Sequence, residues 1–321
     1  MGIRLIADET HFKFIAWRRF WAAVSVVAIL GSLVLFLVQG LNYGLDFRGG
    51  TLIMAETEEP REVAQFRAVL TGLNLGDVQV TEVGDPGGVA RNAVMMRVGV
   101  TGDDPDVQAE IVREIQGALN AAFPGISYLQ VDSVGATISR ELVRAGILAV
   151  VSSMAAILFY IWLRFEWQFS LAAVVALIHD VALTIGIFSL LQLEFSLAII
   201  AAILTIAGYS LNDTVVVFDR VRENLRKFKK LPVEDLLDNS VNETLSRTIM
   251  TSATTLIALG ALYFLGGEVI RGFTFAMIWG ILVGTYSSIF VAAPILLWLG
   301  VKRDWTKPGA PAGTQFSKVD A

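Results

Sequence analysis

Six long apolar runs, one polar insert and a set of short charged turns make up the pattern of this 321-residue chain. The first run, Phe20 to Val38, carries no charge and is long enough to cross a bilayer at about 1.5 Å per residue. A cleaved signal peptide would have an apolar core of about 7–15 residues and a small-residue cleavage site. This run is longer and leads into Gln39-Gly40-Leu41-Asn42-Tyr43, so residues 20–40 are read as a retained span. The later runs are Leu142–Leu163, Phe169–Leu191, Phe195 to about Phe218, about Thr248 to Leu265, and Gly272–Leu299. Short polar turns join them at 164–168, 192–194 and 266–271. Residues 219–246 make a longer link, first basic and then acidic. Pro232 divides it into two predicted short surface helices.

The period changes within the insert, residues 41–141. Short β-rich stretches lie at Thr51–Thr57, Asp77–Gly84, Asn92–Val100 and Ile126–Val134. Two helical patterns separate them. Pro60–Leu73 places Val63, Phe66, Val69, Leu70 and Leu73 on one face. Asp104–Phe123 does the same with Val107, Ile111, Ile115, Leu119 and Ala122, and Pro124-Gly125 closes it. The order β-α-β-β-α-β is that of a ferredoxin-like domain. The predicted fold is a polytopic α-helical membrane protein with six transmembrane helices. One α+β ferredoxin-like domain lies between helices 1 and 2, and helices 2–6 occupy residues 142–300.

Composition agrees with that class and excludes others. Hydrophobic residues are 55%, mean hydropathy is +0.62 and charged residues are 17%, outside the soluble range. A net charge of −5 argues against nucleic acid as a partner. The absence of cysteine excludes disulfides and thiolate metal sites. His11 and His179 are too far apart in sequence to suggest a metal centre. No cofactor is expected. No nucleotide motif or Ser/His/Asp arrangement stands out, so a soluble-type enzyme is not expected. Basic residues gather in residues 1–19, at Arg164, through 220–230, at Arg247 and after the last run, whereas the opposite short turns carry only Arg271. By the positive-inside rule both termini are cytoplasmic and residues 41–141 exoplasmic. The cytoplasmic tail, 301–321, is Gly/Pro/Ala-rich after Pro308 and expected to be disordered.

The candidate chemistry lies in the spans. Asp213 sits in the fourth, about three-quarters of the way across, and Asn212 precedes it. A carboxylate at the bilayer centre costs about 2.5–3.5 kcal/mol on insertion scales, so such acids are by default functional candidates. The alternative is an acid at a helix end touching water. Gly208 and Tyr209 lie one turn before Asp213, and the glycine leaves room for another helix. Arg247, at the mouth of the fifth span, either pairs with Asp213 or snorkels to the surface. His179-Asp180, with Thr184 one turn on, offers an imidazole and a carboxylate mid-span. Adjacent residues point apart, so the two are expected to serve different partners, as a relay or as satisfied interface residues. The hydroxyls of Thr248, Thr251, Ser252, Thr254 and Thr255 line a water path or bond between helices. Asp46, Arg48, Gly49 and Gly50, in the stretch Leu45–Thr51, read as an architectural joint and not a phosphate loop.

Several stretches carry a family resemblance: LDFRGGT (45–51), VGATISREL (134–142), RFEWQFSLAAVVALIHDVALTIGIF (164–188), GYSLNDTVVVFDRVREN (208–224) and NETLSRTIMTSATTL (242–256). Across most of residues 19–300 the chain resembles the SecD/SecF family of bacterial protein-export membrane proteins, within the resistance–nodulation–division superfamily. Ala136 stands where the family more usually has proline.

The resemblance implies a chain in the bacterial inner membrane that pairs with SecD in a bundle twice this size. It also implies work beside the SecYEG translocon, with YajC and YidC as further candidate partners and a translocating preprotein as cargo. It implies use of the proton-motive force, with the family's span-four aspartate and span-five arginine falling on Asp213 and Arg247. A second essential acid would belong to SecD. Proton uptake would then weaken the Asp213–Arg247 pairing, and the shift would pass through Leu142 and residues 134–141 to the exoplasmic domain. Two alternatives stand beside this: a small-solute proton antiporter of the same superfamily, and a non-transporting assembly partner of the translocon.

Overall fold

The computed structural model describes residues 10–73, 75, 78–83, 92–99 and 104–301. Arg4, the expected strand ends at Asp77, Gly84 and Val100, and the tail with Lys302, Arg303 and Lys307 lie outside them. A single 3-10 turn, Ile15–Trp17, leads into α1 (Arg18–Gln39). The insert comes next as β1 (Asn42–Tyr43), α2 (Leu45–Arg48), β2 (Gly50–Glu56), α3 (Val63–Thr71), β3 (Val78–Glu82), β4 (Ala93–Val98), α4 (Pro105–Ala122) and β5 (Ser127–Val134). Four longer helices succeed it: α5 (Ala136–Arg164), α6 (Trp167–Leu191), α7 (Leu197–Lys227) and α8 (Val233–Leu265). A short strand, β6 (Glu194–Phe195), sits between α6 and α7. The last span is α9 (Glu268–Ser287), a π-helical turn at Ser288–Ala292 and α10 (Ala293–Trp298). Six helices among the described residues are long and apolar enough to cross a membrane.

The insert has the expected β-α-β-β-α-β order. β2 to β5 form one antiparallel sheet in the order β3-β4-β2-β5, with an irregularity between Met54 and Ala55 where β2 meets β5. The alternation along β2 and β4 sends Ile53, Ala55, Val94 and Met96 to one face, where they pack against Phe66 and Leu70 of α3 and Ile115 and Leu119 of α4. Phe66 stacks on Phe123 with ring centroids 4.3 Å apart. Asp104 caps α4 by accepting the Asp106 N–H at 2.9 Å, and Pro105 occupies the first turn. The other sheet face carries Leu52 and Met54. It looks across a cleft of about 790 Å³ onto Leu193 and Phe273 at the ends of the membrane helices.

The helical layer has an inside and an outside. The apolar stretches of α6, α7 and the last span are half buried or more, whereas those of α1, α5 and α8 bury few residues. Lipid removes most of the hydrophobic drive between helices, so close packing of small residues carries the association. Gly280 and Gly284 of α9 face α7. A Cβ at Gly280 would overlap the Ile206 side chain, and one at Gly284 would lie 2.9 Å from Ser210 Cβ.

The link between the fourth and fifth spans departs from expectation. Residues 219–246 do not form two separate surface helices. The basic part continues α7 to Lys227, and the acidic part, from Val233, begins α8. Asn224 on α7 donates to Ser240 Oγ at 3.0 Å and to Glu243 at 2.8 Å on α8, so the two extensions stabilise one another as a pair. The N-terminal segment is tied there too. Asp238 accepts the Ile15 N–H at 2.9 Å, and Asn242 exchanges hydrogen bonds with the Phe12 backbone.

Candidate functional site

The joint between α1 and the sheet is a single turn capped by two glycines. Gly49 closes α2 with φ of 72° and donates its N–H to the Leu45 carbonyl. Gly50 has φ of 116°, and a Cβ there would overlap the Val98 carbonyl oxygen. Only glycine meets both demands at that position. The acid of the joint has its own task. Asp46 Oδ2 accepts the N–H of Leu197, the first residue of α7, at 2.8 Å. A carboxylate at a helix N-terminus satisfies an orphan donor and complements the helix dipole. Two further contacts bind the same corner. β1 pairs in parallel with β6, and Arg97 of β4 forms an ion pair with Glu194 of β6. Arg48 is exposed at the edge of this corner.

The helix so capped carries Asp213, near the middle of its 31 residues. Asp213 is 3% exposed, and its Oδ2 is buried without a hydrogen-bond partner. Arg247, on α8, is exposed; its field reaches Asp213, but no ion pair joins the two among the described residues. Asn212 and Gly208 share the outer side of α7. Asn212 is exposed, and a Cβ at Gly208 would meet nothing within 4 Å. The close helix contact that Gly208 permits is therefore not made by this chain. Tyr209 turns towards α8 and hydrogen-bonds Thr255 at 3.2 Å. Ser252 bonds Thr285 of α9 at 2.8 Å. Thr251, Thr254 and Thr255 donate to carbonyls within their own helix, which leaves those hydroxyls engaged in structure.

The second acid is enclosed. Asp180 is 0% and His179 1% exposed. The two side chains meet, with His179 Nδ1 2.9 Å from Asp180 Oδ1, and beyond that contact each faces different partners, as expected. Asp180 Oδ2 accepts the hydroxyls of Ser210 at 2.5 Å and Ser287 at 2.8 Å. Thr184 instead donates to the Asp180 backbone carbonyl. His179 stacks on Tyr286 at 5.8 Å, and its Nε2 is buried without a hydrogen bond. The Tyr286 hydroxyl reaches Ser25 and the Trp21 carbonyl of α1.

Sequence reasoning did not single out Ser210, Ser287 or Glu194. Ser210 had a usable signal, since it precedes Asp213 by one turn on the same helix face. Ser287 is one hydroxyl in an apolar run, with no periodicity to mark its direction.

The same stretches match known proteins. Residues 114–302 match the family described as "Protein export membrane protein SecD/SecF, C-terminal", and residues 34–60 match "SecD/SecF GG Motif". The chain is similar to a protein translocase subunit SecF of Cereibacter sphaeroides, at 50% identity over 99% of each chain. It is similar to one of Rhodobacter capsulatus at 46% identity, over 95% of this chain and 94% of the other. Among solved structures, SecDF of Thermus thermophilus, described as a translocon-associated membrane protein, superposes with a TM-score of 0.80. The identity is 36%, over 92% of this chain and 39% of that one. SecDF in a super-membrane-facing form superposes with a TM-score of 0.66 at 37% identity, over 93% of this chain and 40% of that one. The chain thus spans nearly the whole of the SecF relatives and about two fifths of the SecDF chain.

Proposed function

We propose, from the premise that the chain belongs to the SecD/SecF family of protein-export membrane proteins and is a multi-pass component that assists Sec protein translocation, that it pairs with a SecD chain in the bacterial inner membrane and uses the proton-motive force to help move preproteins through SecYEG. YajC and YidC are further candidate partners. In this reading both termini are cytoplasmic, the sheet domain is periplasmic and the chain catalyses no covalent reaction.

The observation that carries the reading is Asp213. It is a carboxylate near the middle of a membrane helix, and one of its oxygens is buried without a partner. An unsatisfied charged oxygen in that position is costly unless it binds something that comes and goes, and a proton is the smallest such ligand. Arg247 supplies the opposing charge. Arg247 is exposed on α8, as Gly208 and Asn212 are on α7, and in this reading SecD packs against these exposed positions while Asp213 stays buried. A proton arriving through that interface neutralises Asp213, and its attraction to Arg247 is lost. One charge crossing 100 mV releases about 2.3 kcal/mol, enough to bias a two-state element by about fiftyfold.

Beside the expected route through Leu142 and residues 134–141, the Asp46 bond to the Leu197 N–H supports a second link between α7 and the joint. The test is Asp213→Asn in inverted membrane vesicles. Export stimulated by the proton-motive force should be lost while the variant still co-purifies with SecD. Full stimulated export would overturn the reading. In favour of export over solute antiport stands the small insert, a single ferredoxin-like unit. Solute flux by the chain alone in vesicles would reverse that preference.

A further inference from the structure

The Asp180 cluster is not joined to Asp213 by any hydrogen bond among the described residues. It is a separate feature of the bundle and calls for its own account. Its charge lies where three helices meet: α6 supplies the acid, α7 supplies Ser210 and α9 supplies Ser287. Titratable groups near it on the packed elements are few. They are His179 on α6, Asp213 one turn beyond Ser210 on α7, and Tyr286 on α9; α1 contributes the Ser25 hydroxyl and the Trp21 carbonyl, both through Tyr286.

We propose that Asp180, Ser210 and Ser287 form a second proton-binding site, held wholly within this chain, which fastens α6, α7 and α9 when empty and loosens their junction when filled. The ligand is a proton, and the step is simple protonation of Asp180 at a carboxylate oxygen. The inference rests on the proton-driven reading of the chain and adds a site that acts through packing.

Hydrogen-bond capacity makes the site responsive to a proton. An ionised carboxylate is an acceptor only, and here a single oxygen accepts two hydroxyls from two different helices. Charge-assisted bonds of this kind are about twice as strong as neutral ones. A protonated carboxyl has one O–H to donate, so it cannot keep the same pair of donors on a protonated oxygen. A proton on Oδ1 leaves Oδ2 a neutral carbonyl oxygen that holds both hydroxyls more weakly, and a proton on Oδ2 takes up one of its acceptor positions, so filling the site weakens the fastening in either case. His179 offers a proton position beside it, because its Nδ1 faces Asp180 while its Nε2 is buried and unbonded.

The backbone after Ser287 gives the loosened helix somewhere to go. It leaves α geometry at the next residue, and Ser288–Ala292 form a π-helical turn. Such turns are rare single-turn insertions, frequent at functional sites. They give a helix two registers, α and π, at one point. Upstream, Gly284 has no room to move towards α7, since a Cβ there would already lie 2.9 Å from Ser210. The part beyond the turn, α10, packs on α6 and α8 with Ala293 and Leu296 buried, so a change of register at the turn is passed to both helices. Weakening of the Ser287 bond thus acts on a helix that is wedged on one side and already irregular on the other.

The absence of cysteine makes the test direct. Trp167, at the start of α6, and Trp298, at the end of α10, are 58% and 56% exposed. Spin labels on Trp167→Cys and Trp298→Cys report the position of α10 against α6, measured in the complex with SecD in nanodiscs across a pH series. In the otherwise unaltered chain the distance should change between alkaline and acid conditions. With Ser210→Ala and Ser287→Ala together it should sit at the acid value throughout. With Asp180→Asn the pH response should be lost. A merely structural role for the serines would lower stability without removing a pH response, so variants are compared only where the complex co-purifies. With Asp213→Asn the response should persist while export is lost. A pH-independent distance in the unaltered chain, or an unchanged response in Asp180→Asn, would overturn the proposal. Retained export in Asp213→Asn would overturn the earlier reading instead, and the label response would then decide the Asp180 site separately.

Discussion

Asp46 Oδ2 accepts the Leu197 N–H at 2.8 Å, so a side chain from the joint of the sheet domain caps the helix that carries Asp213. Removing an N-cap side chain costs about 0.5–2 kcal/mol. Asp46→Ala should lower the thermal midpoint of the purified complex and reduce stimulated export. Asp46→Asn keeps an accepting oxygen and should retain most of both. Equal loss in the two variants would place the effect of Asp46 elsewhere.

Arg97 and Glu194 bind the sheet to the α6–α7 turn beside that cap. Their side chains are partly exposed, at 19% and 33%, so the pair is worth about 1 kcal/mol. Arg97→Glu and Glu194→Arg should each loosen the corner, seen as faster proteolysis of the sheet domain in situ. The double exchange should restore resistance. Failure of that rescue would show that shape, and not charge, holds the corner.

Gly49 and Gly50 both have positive φ, and Gly50 also lies against the Val98 carbonyl. Gly49→Asn should be costly through backbone strain alone, because φ 72° with ψ 174° lies outside the left-handed helical region that asparagine enters. Gly50→Ala combines backbone strain with a steric overlap and should cost several kcal/mol. Yield of folded complex, compared for the two variants, gives the ranking.

Gly208 faces open space within this chain. Gly208→Phe should therefore leave the chain itself folded, with an unchanged circular dichroism spectrum, and abolish co-purification with SecD. Normal assembly in that variant would show that the α7 face is not a contact surface. Gly280→Val is the contrasting variant. It would collide with Ile206 inside the bundle and should destabilise the chain itself.

Much of this could be read from spacing. The sheet domain was legible because Ile53, Phe66, Leu70, Met96, Ile115 and Leu119 recur at strand or helix periods, and their burial is what defines its core. The six helices were legible from length and charge alone. Residues 219–246 misled because their charge resembles a surface segment. The Asn224 bonds to Ser240 and Glu243, which hold them as paired helices, are tertiary and leave no local trace. At the candidate site, Asp213 and Asp180 were conspicuous as acids in apolar runs. Their partners were not, because the Ser210 and Ser287 directions depend on how three helices cross. The capping role of Asp46 spans 151 residues of sequence, and no periodicity connects its two ends.

The apolar stretches of the outer helices α1, α5 and α8 bury few residues, and Arg247 on α8 and Asn212 on α7 are exposed. A copy made without its partner would hold a guanidinium and a carboxamide against acyl chains, where such groups are costly. The cell's membrane proteases would meet it as an orphan subunit with an unstable flank. With SecD proposed to cover that flank, a surplus copy should be shorter-lived than a paired one, and balanced synthesis of the two chains would follow from this helix arrangement.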